Sequence, residues 1–173
     1  KKELYTEEDA PNPIEWDGKT KFLAEELVKK AQCPWTILRI DQPFRSDTFE
    51  KVDTAHRIMQ GIKDGSLYPQ FTNHFFGPTF VDDFGKVIDF VIRTNTTGLF
   101  HASSGESWTD YDFAVAINEI HNLGGEIGKG DLEVYLANSE RPYQRNTAMS
   151  NEKISKILDF EMMSVKEALE KVE

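Results

Sequence analysis

Gly18-Lys19-Thr20 ends like a phosphate-binding loop. Such a loop wraps phosphate oxygens in backbone amides and needs another glycine five residues earlier. That position is Pro13, which has no amide hydrogen, and no strand-like run precedes it. A dinucleotide fold instead needs Gly-x-Gly-x-x-Gly between a strand and a helix, and the sequence contains none. Gly124-Gly125-Glu126-Ile127-Gly128 comes nearest, but it follows a helical pattern and reads as a turn. His56, His74, His101 and His121 are scattered, none at metal-ligand spacing from another. Adjacent Asp82 and Asp83 would point about 100° apart on a helix, which suits surface charge better than a metal pair. Ser103-Ser104-Gly105 lacks the Gly-x-Ser-x-Gly setting of a hydrolase nucleophile. One spacing survives: Asp17 and Lys21 are one helical turn apart, so their side chains share a face.

The elements that must position such groups follow from periodicity. Tyr5 to Pro13 reads as a loop. From Gly18 to about Gln32, Phe22, Leu23, Leu27 and Val28 fall at helical spacing, and Pro34 closes the run. Trp35 to Ile40 is an apolar strand bounded by Pro34 and Pro43. Further helices are expected over Phe49 to Lys63, over Val81 to Arg93 and over Thr109 to His121. In the second of these, Phe84, Val87, Ile88, Val91 and Ile92 should share a face. Short strands and loop fill Ser66 to Pro78, strands cover Gly98 to Ala102 and Leu132 to Leu136, and helical stretches near Asn151 to Leu158 and Val165 to Val172 finish the chain. Helices and strands alternate throughout, so the class is α/β and residues 1–173 form one domain.

Twenty basic residues against thirty acidic ones give a formal net charge of −10. Such a chain repels nucleic acid and anionic membrane surfaces, and Lys29-Lys30 is too small a basic cluster to reverse that. No apolar run approaches the ~18 residues of a membrane span. The lone Cys33 cannot form an internal disulfide, which fits a reducing, cytoplasmic setting, and it is expected to pack as an inert thiol. The opening Lys1-Lys2-Glu3-Leu4 carries no leader pattern and reads like the interior of a longer protein.

Pro11 to Glu25 runs proline loop, Gly-Lys-Thr-Lys, then a helix with alanine and glutamate. It resembles the active-site helix of the extended short-chain dehydrogenase/reductases, most closely the dTDP-4-dehydrorhamnose reductases. Other segments are similar in the same order: Leu4 to Pro13, Ile37 to Ile40, Gly77-Pro78-Thr79-Phe80-Val81-Asp82-Asp83, Gly98 to Ser103, Ser107 to Ala114, and Arg141-Pro142 followed by Met149 to Lys153.

The resemblance implies a partial Rossmann-like parallel sheet with a substrate-binding subdomain, an NAD(P) cofactor for the family and a 4-keto sugar nucleotide as substrate. It puts Lys21 at the family's catalytic lysine and Gly77, Pro78, Thr79 and Arg141 at the substrate cleft. Arg141 reads equally as a loop arginine paired with Glu140 or with nothing. Two departures stand out. The family's proton-donating tyrosine falls on Asp17, an acid ionised at neutral pH. The glycine-rich half that holds the dinucleotide has no counterpart here, so this chain alone is expected neither to bind NAD(P) nor to turn over. Two readings follow. One is a fragment or degenerate nucleotide-sugar reductase. The other is a non-catalytic binding module resembling the regulatory subunit of methionine adenosyltransferase. The strand at Trp35 to Ile40 is expected to leave an open sheet edge, which a homodimer could cover.

Overall fold

Side-chain caps set where several helices begin. In the computed structural model, which describes residues 3–173, Asp53 accepts from the His56 amide at 3.1 Å and opens helix α2, Thr54–Lys63. The helix therefore starts five residues later than the expected Phe49, because the cap and not the apolar pattern decides it. Thr109 caps α4, Asp110–Ile120, by accepting from Asp112 N. Ser164 and Glu167 form a reciprocal capping box on α7, Val165–Leu169. The other main helices are α1, Trp16–Val28, and α3, Val81–Thr94, with short α6 at Glu152–Ser155.

The expected strand at Leu132 to Leu136 is instead helix α5, Leu132–Ala137. Asp131 accepts from the amides of Glu133 and Val134, and Asn73 accepts from Leu132 N. Three capped amides outweigh the β propensity of Val134 and Tyr135. Leu132 and Leu136 then share a helix face.

The strands are short and pair mostly in parallel. Strand β1, Thr36–Arg39, runs parallel to β6, Gly98–His101, from Thr36 opposite Gly98 to Arg39 opposite His101. Beyond β1, Gln42 takes a left-handed turn at φ 39° and redirects the chain into β2, Pro43–Phe44, which lies parallel to β5, Thr79–Phe80. A left-handed backbone is unusual for glutamine. Strand β3, Gln70–Phe71, pairs in parallel with β8, Lys129–Gly130, while β4, Phe75–Phe76, is antiparallel to β7, Trp108–Thr109. The result is a mixed α/β fold with parallel strand pairs. Among the described residues β1 pairs only with β6, so its other edge is open.

Two apolar clusters hold the fold. The larger joins Ala55, Ile58 and Met59 of α2 to Phe113 and Ile117 of α4 and to Val165 and Leu169 of α7. The smaller packs Val87, Phe90 and Val91 of α3 on Phe100, Ala102 and Ile154. Ile88 and Ile92 of α3 lie outside it, because Phe90 takes the inward face instead. Helix α1 belongs to neither cluster: none of its thirteen residues is fully buried, and Leu23 and Leu27 are 55% and 69% exposed. Cys33, expected to pack, is exposed in the same uncovered region. Of the polar opening segment, Lys1 and Lys2 lie outside the described residues.

Phe113 makes edge contacts with Phe44, Phe76 and Trp108 at ring separations of 5.8, 5.4 and 6.1 Å. Phe113→Ala should therefore cost about 3–5 kcal/mol of stability, read as a lowered midpoint in urea unfolding. Leu23→Ala, on the uncovered face of α1, should move that midpoint little.

Candidate functional site

In parallel sheets, ligands settle beyond the carboxyl ends of the strands. Here β1 and β6 both end at a groove of about 740 Å³. Its walls are the loop from Tyr5 to Pro13, the inner side of α1, and the segment from Gln144 to Met149. Its floor follows β1 from Thr36 to Asp41, with His101 beside it.

Asp41 is the first residue past the end of the floor strand that carries a charge. Its Oδ2 accepts from Gly77 N at 3.0 Å and from Thr147 Oγ1 at 2.6 Å. Its main chain is held as well, since Asp41 N donates to Thr79 Oγ1 at 3.1 Å and Thr79 Oγ1 donates to Asp41 O at 2.7 Å. Burial pushes its carboxyl above the usual carboxylate range, against the lowering effect of these donors.

Beneath the groove, Arg39 donates from Nε and Nη2 to the two carboxylate oxygens of Glu25, at 2.7 and 2.6 Å. The pair is largely shielded from water and joins α1 to β1. Arg39 Nη1 also lies 3.4 Å from His101 Nε2. A guanidinium can only donate, so Nε2 is the acceptor and the imidazole is neutral. Burial, the largest influence, lowers the His101 pKa, with Arg39 adding to it and Glu7 opposing. Glu7 also accepts from His101 N at 2.8 Å.

The sequence-derived candidates separate into three places. Lys21 lines the groove, where its Nζ donates to both oxygens of Asp17 at 2.8 and 2.9 Å. Both side chains of that pair are more than 70% exposed. Gly77, Pro78 and Thr79 are buried, and Gly77 and Thr79 meet Asp41 rather than the groove space. Arg141 is exposed and donates to Glu15 at 3.0 Å, not to neighbouring Glu140. Asp41, Thr147, Arg39 and Glu25 were not singled out by the sequence. The available signal was positional: an acid directly after an apolar parallel strand.

A nicotinamide dinucleotide does not fit these residues. The groove cations Lys21 and Arg39 each already hold a carboxylate, Asp17 and Glu25 respectively. The glycine-rich pairs at Gly124 and Gly125 follow α4 rather than a strand, so no row of amides faces a pyrophosphate there. Among the described residues no group of three or more His, Cys, Asp or Glu could hold a metal. No helix of the described residues is long and apolar enough to cross a membrane.

A family model described as the RmlD substrate binding domain matches residues 1–172. The chain belongs to this family. A probable low-salt glycan biosynthesis reductase of Haloferax volcanii is 27% identical over 144 residues, 82% of this chain and 47% of its own. Methionine adenosyltransferase 2 subunit beta of Rattus norvegicus is 31% identical over 148 residues, 80% of this chain and 43% of its own. Among solved structures, dTDP-4-dehydrorhamnose reductase of Bacillus anthracis, in complex with NADP, superposes with a TM-score of 0.83 at 21% identity, over 98% of this chain and 58% of that one. A hypothetical dTDP-4-dehydrorhamnose reductase from Sulfolobus tokodaii gives 0.77 at 27% identity, over 99% and 58%. These likenesses confirm the Rossmann-like reductase fold. The RmlD-family chain spans under half the length of these curated relatives and about three-fifths of these solved structures.

The depressed pKa of His101 fixes a sign. The folded state favours neutral imidazole, so the unfolded state takes up more protons below its own pKa of about 6.5. The stabilisation is complete above that pH and is lost as pH falls through it toward the folded value. Asp41, with a raised pKa, works in the opposite sense. His101→Gln should therefore flatten the loss of stability between pH 7 and pH 5, measured by urea unfolding at a series of pH values. An unchanged slope would show that His101 does not carry it.

Proposed function

We propose that this chain is the substrate-side half of a nucleotide-sugar reductase fold, which binds a sugar nucleotide in its groove and has no reductase turnover of its own. The observation that carries the reading is the groove at the carboxyl ends of β1 and β6, edged by Lys21, with Arg141 beside the start of α1. Arg141 is the proposed anchor for the diphosphate, because a guanidinium presents paired donors to phosphate oxygens. Pro142 favours an extended backbone at Arg141, which presents the side chain outward. Gly77, Pro78 and Thr79 act in this reading from below, by fixing the groove floor.

No turnover is expected of this chain on chemical grounds. Reducing a carbonyl needs a proton donor as hydride arrives, and where the family carries a tyrosine hydroxyl this chain has the shorter Asp17 carboxylate, already engaged by Lys21. A dinucleotide-binding half would seat against the open edge of β1 and the uncovered leucines of α1, and NAD(P) would belong to that half. A homodimer is the other cover for the same edge, and light scattering separates it from a monomer. A second reading, a regulatory or binding module without chemistry, is favoured by the Asp17–Lys21 pair together with the likeness to methionine adenosyltransferase 2 subunit beta.

Two measurements test this. The purified chain should not oxidise NADPH in the presence of a 4-keto sugar nucleotide, and Asp17→Tyr should not restore activity; turnover above background in the wild-type chain would sink the reading. Calorimetric titration with a dTDP- or UDP-sugar should show weak binding. Arg141→Ala should weaken it by about 1.5–3 kcal/mol, the usual worth of hydrogen bonds to a charged group, whereas an unchanged affinity would remove Arg141 as the anchor.

A further inference from the structure

We infer that His101 is a proton-operated release for helix α1, the inner wall of the groove. Protonating the imidazole turns Arg39 away, and the end of α1 that Arg39 holds comes free. The inference concerns the wall alone and does not depend on which ligand the groove takes.

Glu25 of α1 takes two hydrogen bonds from Arg39 of β1, at 2.7 and 2.6 Å. Arg39 stands opposite His101 in the register of β1 and β6, and its remaining terminal nitrogen, Nη1, lies 3.4 Å from His101 Nε2. Neutral imidazole accepts there. Imidazolium carries a hydrogen on both nitrogens, so the contact becomes donor against donor and positive charge against positive charge. Burial, the largest influence, and Arg39 oppose a proton on His101, while Glu7 of the opening loop favours it. Tyr5 and Ser150 meet the ring through their backbones. Charges on the other surrounding elements are engaged elsewhere: Lys153 of α6 on Leu99 O, Lys21 of α1 on Asp17, and Asp41 past β1 on Gly77 and Thr147.

Arg39 yields because of what it holds. His101 is 1% exposed and sits at the end of a paired strand, so its ring stays in place. A guanidinium on a long side chain can swing out, and the helix it holds has no buried residue to give up. The other side-chain tether of α1, Glu15 to Arg141, lies at its opposite end and uses a 70% exposed arginine side chain, where an ion pair contributes little. Opening residues 22–28 therefore admits water to the imidazolium without breaking either apolar cluster. The opened form binds the proton near the ordinary value of about 6.5 and the closed form only at lower pH, so opening grows as pH falls through that value.

The test is amide hydrogen exchange by NMR on the full chain, with protection corrected for the intrinsic pH dependence of exchange. Between about pH 7.5 and pH 5.5 the amides of Leu23 to Val28 should lose protection by up to about tenfold. They should stay less protected than those of α4, which marks the opening as local. His101→Gln keeps an oxygen for Arg39 and cannot titrate, so in this variant the loss should vanish. Unchanged protection in the wild-type chain, an equal loss in His101→Gln, or protection of α1 equal to that of α4 at both pH values overturns the inference. Should His101→Gln not fold, Glu25→Gln, a change on α1 itself, decides: α1 should be poorly protected already at the higher pH and insensitive to acidification. Wild-type protection of α1 in Glu25→Gln overturns the inference as well.

Discussion

The carboxyl group of Asp41 is where the substrate side of this fold is tied together. Its two Oδ2 donors come from the turn before β5 and from the segment that leads toward α6, and its main chain is clamped by Thr79 at the start of β5. A buried polar group must find partners or cost several kcal/mol. Once β1 places Asp41 at the groove, the approach of Gly77 and Thr147 is therefore close to obligatory. A Cβ at Gly77 would sit at close but ordinary contact, 3.4 Å from Glu106 O, Met149 N and Ser103 Oγ. The Gly-Pro-Thr segment thus works through Asp41, as support for the floor and not as its surface.

The opposite wall is held by a different physics. Helix α1 contributes no fully buried residue, so hydrophobic burial does little to hold it. Its main side-chain tether to the body is the Glu25–Arg39 pair, shielded enough from water for two parallel charge-assisted hydrogen bonds to count. The groove is therefore asymmetric. One side rests on a packed core and a polar hub, and the other on an ion pair with bare leucines behind it.

Much of this was legible in the sequence. The order of helices and strands, the α/β class and the family resemblance all rest on local signals: apolar spacing, proline boundaries and short ordered motifs. The misassigned segment, Leu132 to Leu136, failed for a local reason too. Its alternating apolar residues mimic a strand, and only the Asp131 cap, one residue earlier, argues otherwise. The site was less readable. Asp41 looks in sequence like any acid after a strand, and its significance lies in contacts 36 and 106 residues away. Glu25 and Arg39 are separated by a helix end, a turn and most of a strand. Arg141 was found, but its partner was sought next door at Glu140 and stands 126 residues away at Glu15.

Lys21, which lines the groove, and Arg141, beside the start of α1, each already hold a carboxylate, Lys21 through Asp17 and Arg141 through Glu15. An anionic ligand arriving there does not meet free positive charge. It competes with an internal carboxylate for the same donors, so binding is in part an exchange of one anion for another. Such an exchange changes the local net charge by less than simple neutralisation would, and the evicted acid remains close by as a competitor. The mouth of this groove is in effect a site shipped with its own weak inhibitor, and only a ligand offering more oxygens in better geometry than one carboxylate displaces it.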